Sequence, residues 1–180
     1  MDSRTGLHCF VSREEINAAV SRLASEITRD YQDKNPLVIG ILKGSFIFLA
    51  DLVRKLDFPL EIDFVRLSSY GAGQESAGKI EVKNDIGADV TDRHVLVVED
   101  IVDTGLTVAF FMGYLREKHP ASLRLCALTD KPSRRKTRVD FDYLGFTVPD
   151  EFMVGYGLDC AEKYRNLPDI CYLEGQYRNG

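Results

Sequence analysis

A chain of 180 residues that is 44% hydrophobic has the size of one ordinary globular domain with a substantial core. Its 23 basic against 28 acidic residues leave a net charge of -5, which argues against a nucleic-acid-binding surface. No apolar run approaches membrane-spanning length, and the opening residues MDSRTGLHCF lack the apolar core of a signal peptide.

The first predicted element is a helix. Ser12 followed by Glu15 forms a capping-box pattern, with Val11 and Ile16 placed as a hydrophobic staple. Ile16, Ala19, Val20, Leu23, Ala24, Ile27 and Tyr31 then recur at helical spacing. Asn35-Pro36 ends that segment, and LVIGIL (37–42) reads as a buried strand. Lys43-Gly44-Ser45 is a tight connection into a second helix, FIFLADLVRKL, running to about Leu56. After Pro59, LEIDFVRL predicts a strand and IEVKNDI its return partner. The intervening SSYGAGQESAGK (68–79), small, polar and Gly-rich, is expected to be a long mobile hairpin loop. VLVVED (95–100) predicts a buried strand, Thr104 to Lys118 a helix, and Leu123 to Leu128 a strand. DKPSRRKTR (130–138) behind it reads as a basic, solvated loop. Phe141 to Val148 and Asp169 to Leu173 are expected as short strands around a Gly/Tyr-rich segment.

Apolar strands alternating with helices predict an α/β fold, a mainly parallel sheet with helices on both faces. Ligands of such sheets bind beyond the carboxyl ends of the strands. The unusual loops (43–45, 68–79, 99–107 and 129–138) all follow strands. No repeat, low-complexity tract or linker suggests a second independent domain.

Cys9, Cys126, Cys160 and Cys171 form no CxxC pair, and His8, His94 and His119 are equally dispersed. A His/Cys metal site is therefore not expected, and any metal would be a hard ion held by oxygens. Cys126, in an apolar strand, predicts a buried thiol and a reducing cytoplasm. GQESAGKI (73–80) nearly matches a P-loop, but Ile80 stands where a hydroxyl is needed and a strand follows instead of a helix. YGAGQES fails the dinucleotide fingerprint at Ser76.

The informative stretch is VLVVEDIVDTGLT (95–107). Its turn opens a helix, where free backbone N–H groups, Thr hydroxyls and the helix dipole suit a phosphate monoester. Three acids in the same stretch would repel that phosphate, so they must face hydroxyls, a divalent cation or a mobile proton. A sugar phosphate meets both demands, and acids at a buried strand end are costly unless they are used.

This stretch closely resembles the phosphoribosyl-pyrophosphate signature of type I phosphoribosyltransferases. Within that family LKGS (42–45), Ser69-Tyr70 and VPDEFMVGYGLDCAEKYRNLPDI (148–170) resemble segments of the 6-oxopurine enzymes that act on hypoxanthine or guanine. The likeness runs from about residue 10 to 173. It implies a fold in which residues 36–140 form the core. About 1–15 and 141–175 would form a small hood, with 68–79 a mobile lid over the site. It also implies transfer of a 5-phosphoribosyl group from phosphoribosyl pyrophosphate to a 6-oxopurine base, with Mg²⁺, in a homodimer or homotetramer.

By that resemblance Glu99 and Asp100 engage the ribose hydroxyls, directly or through Mg²⁺, and Asp103 handles the purine N7 proton. Asp103, Thr104, Gly105, Leu106 and Thr107 wrap the 5′-phosphate. Lys43 and Gly44 offer backbone groups to pyrophosphate, where the family commonly has a cis peptide, and Arg165 its charge. Ser69 and Tyr70 sit on the lid. Asp159 contacts a second Mg²⁺ beside the base, while Phe152 stacks on the purine and the backbone around Met153 reads its edge. Lys131 donates to O6. A Lys has only donors, so it accepts a 6-oxo group and rejects the 6-amino group of adenine. Leu106 stands where some relatives carry Lys, and Ser45 replaces a second Gly. Alternatives are a xanthine- or guanine-preferring relative, a nucleotide-sensing regulator of the same fold, or a ribose-phosphate pyrophosphokinase; the length and net charge of the chain disfavour the last two.

Overall fold

The computed structural model describes residues 6–70 and 79–173. Nine strands and three α-helices follow one another as β1 (Leu7–Val11), α1 (Arg13–Tyr31), β2 (Leu37–Leu42), α2 (Phe46–Val53), β3 (Glu61–Tyr70), β4 (Lys79–Asn84), β5 (His94–Val102), α3 (Leu106–Arg116), β6 (Ser122–Asp130), β7 (Tyr143–Thr147), β8 (Met153–Val154) and β9 (Ile170–Leu173). A short 3-10 turn, Pro132–Arg134, interrupts the loop after β6.

The main sheet has six strands in the order β4-β3-β2-β5-β6-β7. All neighbours are parallel except the edge pair β3–β4, which is antiparallel. Side chains alternate across it as the pleat requires. Val38, Leu96, Val98, Cys126 and Leu128 pack under α1 and α2, while Leu37, Ile39, Ile41, Val95, Val97, Leu125 and Ala127 pack with α3. Apolar residues therefore run continuously along β2, β5 and β6 because both faces are covered, as expected for parallel strands.

Helix α1 starts as its sequence dictates. Ser12 Oγ accepts from the Glu15 N–H at 3.3 Å, and Glu15 Oε2 accepts from the Ser12 N–H at 2.8 Å. The predicted stripe from Ile16 to Tyr31 is buried along its whole length. Helix α2 is shorter than its pattern suggests. Beyond Val53 the chain tightens, with Lys55 N–H donating to Leu52 and Leu56 N–H to Val53.

The loop expected over 68–79 is shorter as well. Ser68, Ser69 and Tyr70 extend β3 and pair with Glu81, Ile80 and Lys79, because β3 and the edge strand β4 can hydrogen-bond each other further out than side-chain alternation alone indicates. The rest of that loop, residues 71–78, lies outside the described residues, as does its expected role as a lid.

A second sheet of three strands, β1-β9-β8, joins the two ends of the chain. β1 and β9 run antiparallel with Cys9 opposite Cys171. The Arg13 N–H, at the start of α1, donates to Asp169 Oδ1 at 2.7 Å and ties this sheet to the core. Neither β1 nor β8 is evident in the sequence pattern. No helix among the described residues is long and apolar enough to cross a membrane.

Candidate active site

The carboxyl ends of β2, β5 and β6 lie side by side, and the site is built on the three loops that leave them. β5 carries Glu99 and Asp100 into the interior, where both are buried. Burial is the main force on each. It raises the Glu99 carboxyl well above its usual range, with the neighbouring Asp100 charge adding to the effect. Asp100 is raised to about 6, with backbone hydrogen bonds and the Arg165 charge restraining the rise. Thr129 Oγ1 donates to the Asp100 carbonyl at 2.8 Å and fixes the strand end. Glu99 Oε2 has no hydrogen-bond partner among the described residues.

The chain then turns through Asp103 to Gly105 into α3. Gly105 is in the left-handed region, at φ 81°, and a Cβ there would come within 2.6 Å of the Thr137 carbonyl, so glycine is required twice over. No side chain caps α3; the Leu106 N–H makes only a long contact, 3.4 Å, with Thr104 Oγ1. The helix start is thus open to an anion. Asp103 Oδ1 is buried without a partner among the described residues, while Oδ2 lies 3.8 Å from the Arg134 guanidinium.

The 131–137 loop laces this turn in place. Lys136 and Thr137 N–H groups donate to the Thr104 carbonyl at 2.9 and 3.2 Å. Arg135 donates to the carbonyls of Asp103 and Val102, both at 3.0 Å, pairs with Asp130 and lies against the Phe141 ring. The expectation of a solvated basic loop holds for Arg134, Lys136 and Arg138, which are exposed, and is corrected for two residues. The side chain of Arg135 is only 17% exposed, Lys131 is buried, and Lys131 Nζ donates to the Glu151 carbonyl at 2.8 Å. The end of β6 and the 149–153 segment fold over these stems, which sequence distance conceals.

The third wall is the loop after β2. The Leu42–Lys43 peptide is cis. Gly44 passes so close to Asp100 that a Cβ would meet Oδ2 at 1.7 Å, and a Cβ on Gly157 would meet the Gly44 carbonyl at 2.0 Å. Arg165, beyond Gly157, donates to the Gly157 carbonyl at 2.8 Å and to Asp159 Oδ1 at 2.7 Å.

These walls enclose a cleft of about 360 Å³. Lys43, Gly44, Glu99, Asp100, Asp103, Thr107, Lys131, Phe152, Met153, Asp159 and Arg165 all line it. Of the other expected residues, Thr104, Gly105 and Leu106 form the adjoining turn rather than the lining. Ser69 and Tyr70 end β3, and their side chains lie outside the described residues. Arg134 lines the cleft too, and Arg135 and Gly157 buttress it, none of them singled out by the sequence. A larger cavity of about 590 Å³ between α1, α2 and residues 166–168 contains none of the expected site residues.

Among the described residues no group of three or more His, Cys, Asp or Glu converges as a ready metal cage. The orphaned Glu99 oxygen beside Asp100 instead offers a few hard donors. That fits Mg²⁺, which keeps waters and phosphate oxygens and takes one or two carboxylates.

An open helix start adjoining a cleft that is lined by a buried acid pair, a Lys and a Phe has the chemistry to suit a sugar phosphate and a planar base. The phosphoribosyl transferase domain family matches residues 12–161, and the chain belongs to that family. Within it, the chain is 47% identical over 165 residues to a hypoxanthine-guanine phosphoribosyltransferase of Streptococcus pneumoniae, covering 92% of each chain. A solved hypoxanthine phosphoribosyltransferase of Staphylococcus aureus superposes with a TM-score of 0.93 at 39% identity, covering 100% of both chains. A hypoxanthine-guanine phosphoribosyltransferase of Bacillus anthracis gives a TM-score of 0.88 at 46% identity, over 92% of this chain and 98% of the other.

Proposed function

We infer that this chain is a purine-salvage enzyme that transfers the 5-phosphoribosyl group of phosphoribosyl pyrophosphate to hypoxanthine or guanine, releasing pyrophosphate. The observation that carries this reading is the buried Glu99–Asp100 pair facing the same cleft as the uncapped start of α3. The turn 103–107 takes the 5′-phosphate on backbone N–H groups. Glu99 and Asp100 accept from the ribose hydroxyls, which relieves an acid pair that has no other partner for Glu99 Oε2.

Cleavage at C1 of the ribose builds positive charge there and negative charge on the departing pyrophosphate. Lys43 and Gly44 backbone groups and the Arg165 guanidinium stand on the leaving-group side and stabilise the second charge. Glu99 and Asp100 would hold one Mg²⁺ and Asp159 a second, and these ions would supply further neutralisation of that oxyanion. Asp103 lines the same cleft as Lys131 and Phe152 and takes or returns the purine N7 proton. Phe152 supplies the stacking face, the Met153 backbone the purine edge, and Lys131 exchanges the Glu151 carbonyl for the base's O6.

The domain division is part of the same reading. Residues 36–140 form the catalytic core of a single domain, and the sheet of β1, β8 and β9 belongs to a hood, 1–15 and 141–175, that carries the base-binding residues. The reading also includes a homodimer or homotetramer, supported by the exposed side chains of Phe46, Ile62 and Phe64, and a cytoplasmic setting, supported by four free cysteines. Initial rates with Mg²⁺ and phosphoribosyl pyrophosphate on hypoxanthine, guanine, xanthine and adenine test the proposal. Nucleotide should form from hypoxanthine or guanine and not from adenine. No turnover of any 6-oxopurine would sink the enzyme reading.

A further inference from the structure

Glu162 has no part in the mechanism above, yet its position is specific. Its carboxylate oxygens lie 3.1 and 3.0 Å from Lys43 Nζ, and Oε2 lies 3.2 Å from Arg165 Nη2. It therefore bridges two cationic side chains from segments far apart in the sequence that meet on one wall of the cleft, the wall to which the reading above assigns pyrophosphate. The hydrogen bond from Lys43, then that from Arg165, holds the Glu162 carboxyl below its usual range, so it meets them as an anion.

The backbone is shaped to put it there. Cys160 and Lys163 exchange N–H···O=C bonds at 3.1 and 3.0 Å, enclosing Ala161 and Glu162 as a two-residue turn. Both are left-handed, at φ 50° and 65°, in a hairpin turn that favours Asn or Gly. A glutamate at the second position is disfavoured by the backbone and held by what its side chain reaches. The side chain remains 65% exposed, and its hydrogen-bond partners among the described residues are those two cations.

We infer that Glu162 is a resident counter-anion of the pyrophosphate seat: its carboxylate occupies Lys43 and Arg165 while the leaving group is absent, swings out when pyrophosphate enters, and competes for the same cations to help expel it. This rests on the transferase reading above. Asp159 also holds Arg165, but it does not reach Lys43 in the hydrogen bonds or ion pairs described, so among the described residues it is Glu162 that joins the two cations.

The test is direct binding of magnesium pyrophosphate, by calorimetry, to the wild-type chain and to Glu162→Gln. Because exposed ion pairs are weak, the variant should bind pyrophosphate only roughly two- to fivefold more tightly. Its KM for hypoxanthine should not change. Unchanged or weaker pyrophosphate binding would overturn the inference, weaker binding meaning that Glu162 arranges the two cations for the ligand. A wild-type chain that binds no pyrophosphate would overturn it also. Tighter binding by the variant, with no turnover by either protein, would support the counter-anion and sink the transferase reading alone. Crystals of the wild-type chain with magnesium pyrophosphate give a second reading that needs no variant. Glu162 should have left both cations, and a carboxylate still bridging them beside bound pyrophosphate refutes the inference.

Discussion

Glu99→Gln should stabilise the ligand-free protein while removing most of its activity. Burial raises Asp100 from 3.8 to about 6, and burial with the Asp100 charge raises Glu99 well above its ordinary range. A carboxyl raised in the folded state keeps a proton that the unfolded chain has already released. Its contribution to stability is therefore present below the unfolded value and lost as pH rises through the folded one. For Asp100, the change from 3.8 to about 6 corresponds to about 3 kcal/mol lost between pH 4 and 7. Gln at position 99 keeps the shape, carries no charge and can donate its amide to Asp100 in place of a shared proton. The variant should gain about 1–3 kcal/mol at pH 8, roughly 3–9 °C in Tm for a chain of this size. The gain should shrink towards zero as the pH falls below about 5. Thermal unfolding followed by circular dichroism at several pH values measures this. A variant no more stable than wild type at pH 8, or one with the same gain at every pH, would refute the reasoning.

Gly157→Ala forces a Cβ to within 2.0 Å of the Gly44 carbonyl at a φ of 102°, and should cost about 2–4 kcal/mol in denaturant unfolding; a cost below about 1 kcal/mol would show that the two loops do not press together. Arg135→Ala leaves the largely buried Asp130 unpaired and frees the turn that holds Asp103, so it should lose about 2–4 kcal/mol of stability, with Asp130→Asn restoring part of the loss. Equal stability of Arg135→Ala and wild type would place Arg135 outside the turn's support. Lys131→Gln puts both a donor and an acceptor opposite the base's sixth position, and should lower the hypoxanthine-to-adenine rate ratio by roughly tenfold or more. An unchanged ratio would move base discrimination elsewhere.

What was legible in the sequence was whatever its own neighbours determine. The α1 cap and stripe lie within twenty residues of chain, and VLVVEDIVDTGLT shows strand, acids and anion turn in one reading frame. β1 was not legible, because three of its five residues are exposed and its strand character comes from β9 at the other end of the chain. Lys131 and Arg135 look like surface charges in KPSRR, and they become interior residues only when the 149–153 segment offers Lys131 a carbonyl and the β5 and β6 strand ends offer Arg135 a carbonyl and a carboxylate. Glu162 could not be read at all, since its partner Lys43 lies 119 residues away.

The charges in the cleft are satisfied unequally, and that inequality bears on how the substrate is held. Arg165 is met by Asp159 and Glu162, Lys43 by Glu162, and Arg134 by Asp103 and Asp150. A pyrophosphate must therefore replace contacts the protein already makes, and gains little net attraction. Glu99 has its neighbour Asp100 and an Oε2 with no partner among the described residues, and Asp100 has only backbone hydrogen bonds and the more distant Arg165 charge to offset its burial. A ribose diol, or a cation bridging to it, brings them partners they lack, so net binding falls on the ribose side. That division suits group transfer. The ribosyl 5′-phosphate stays in place through the reaction, whereas pyrophosphate has to leave. A seat whose cations have their own carboxylates to return to favours stabilisation of charge as it develops over tight retention of the product.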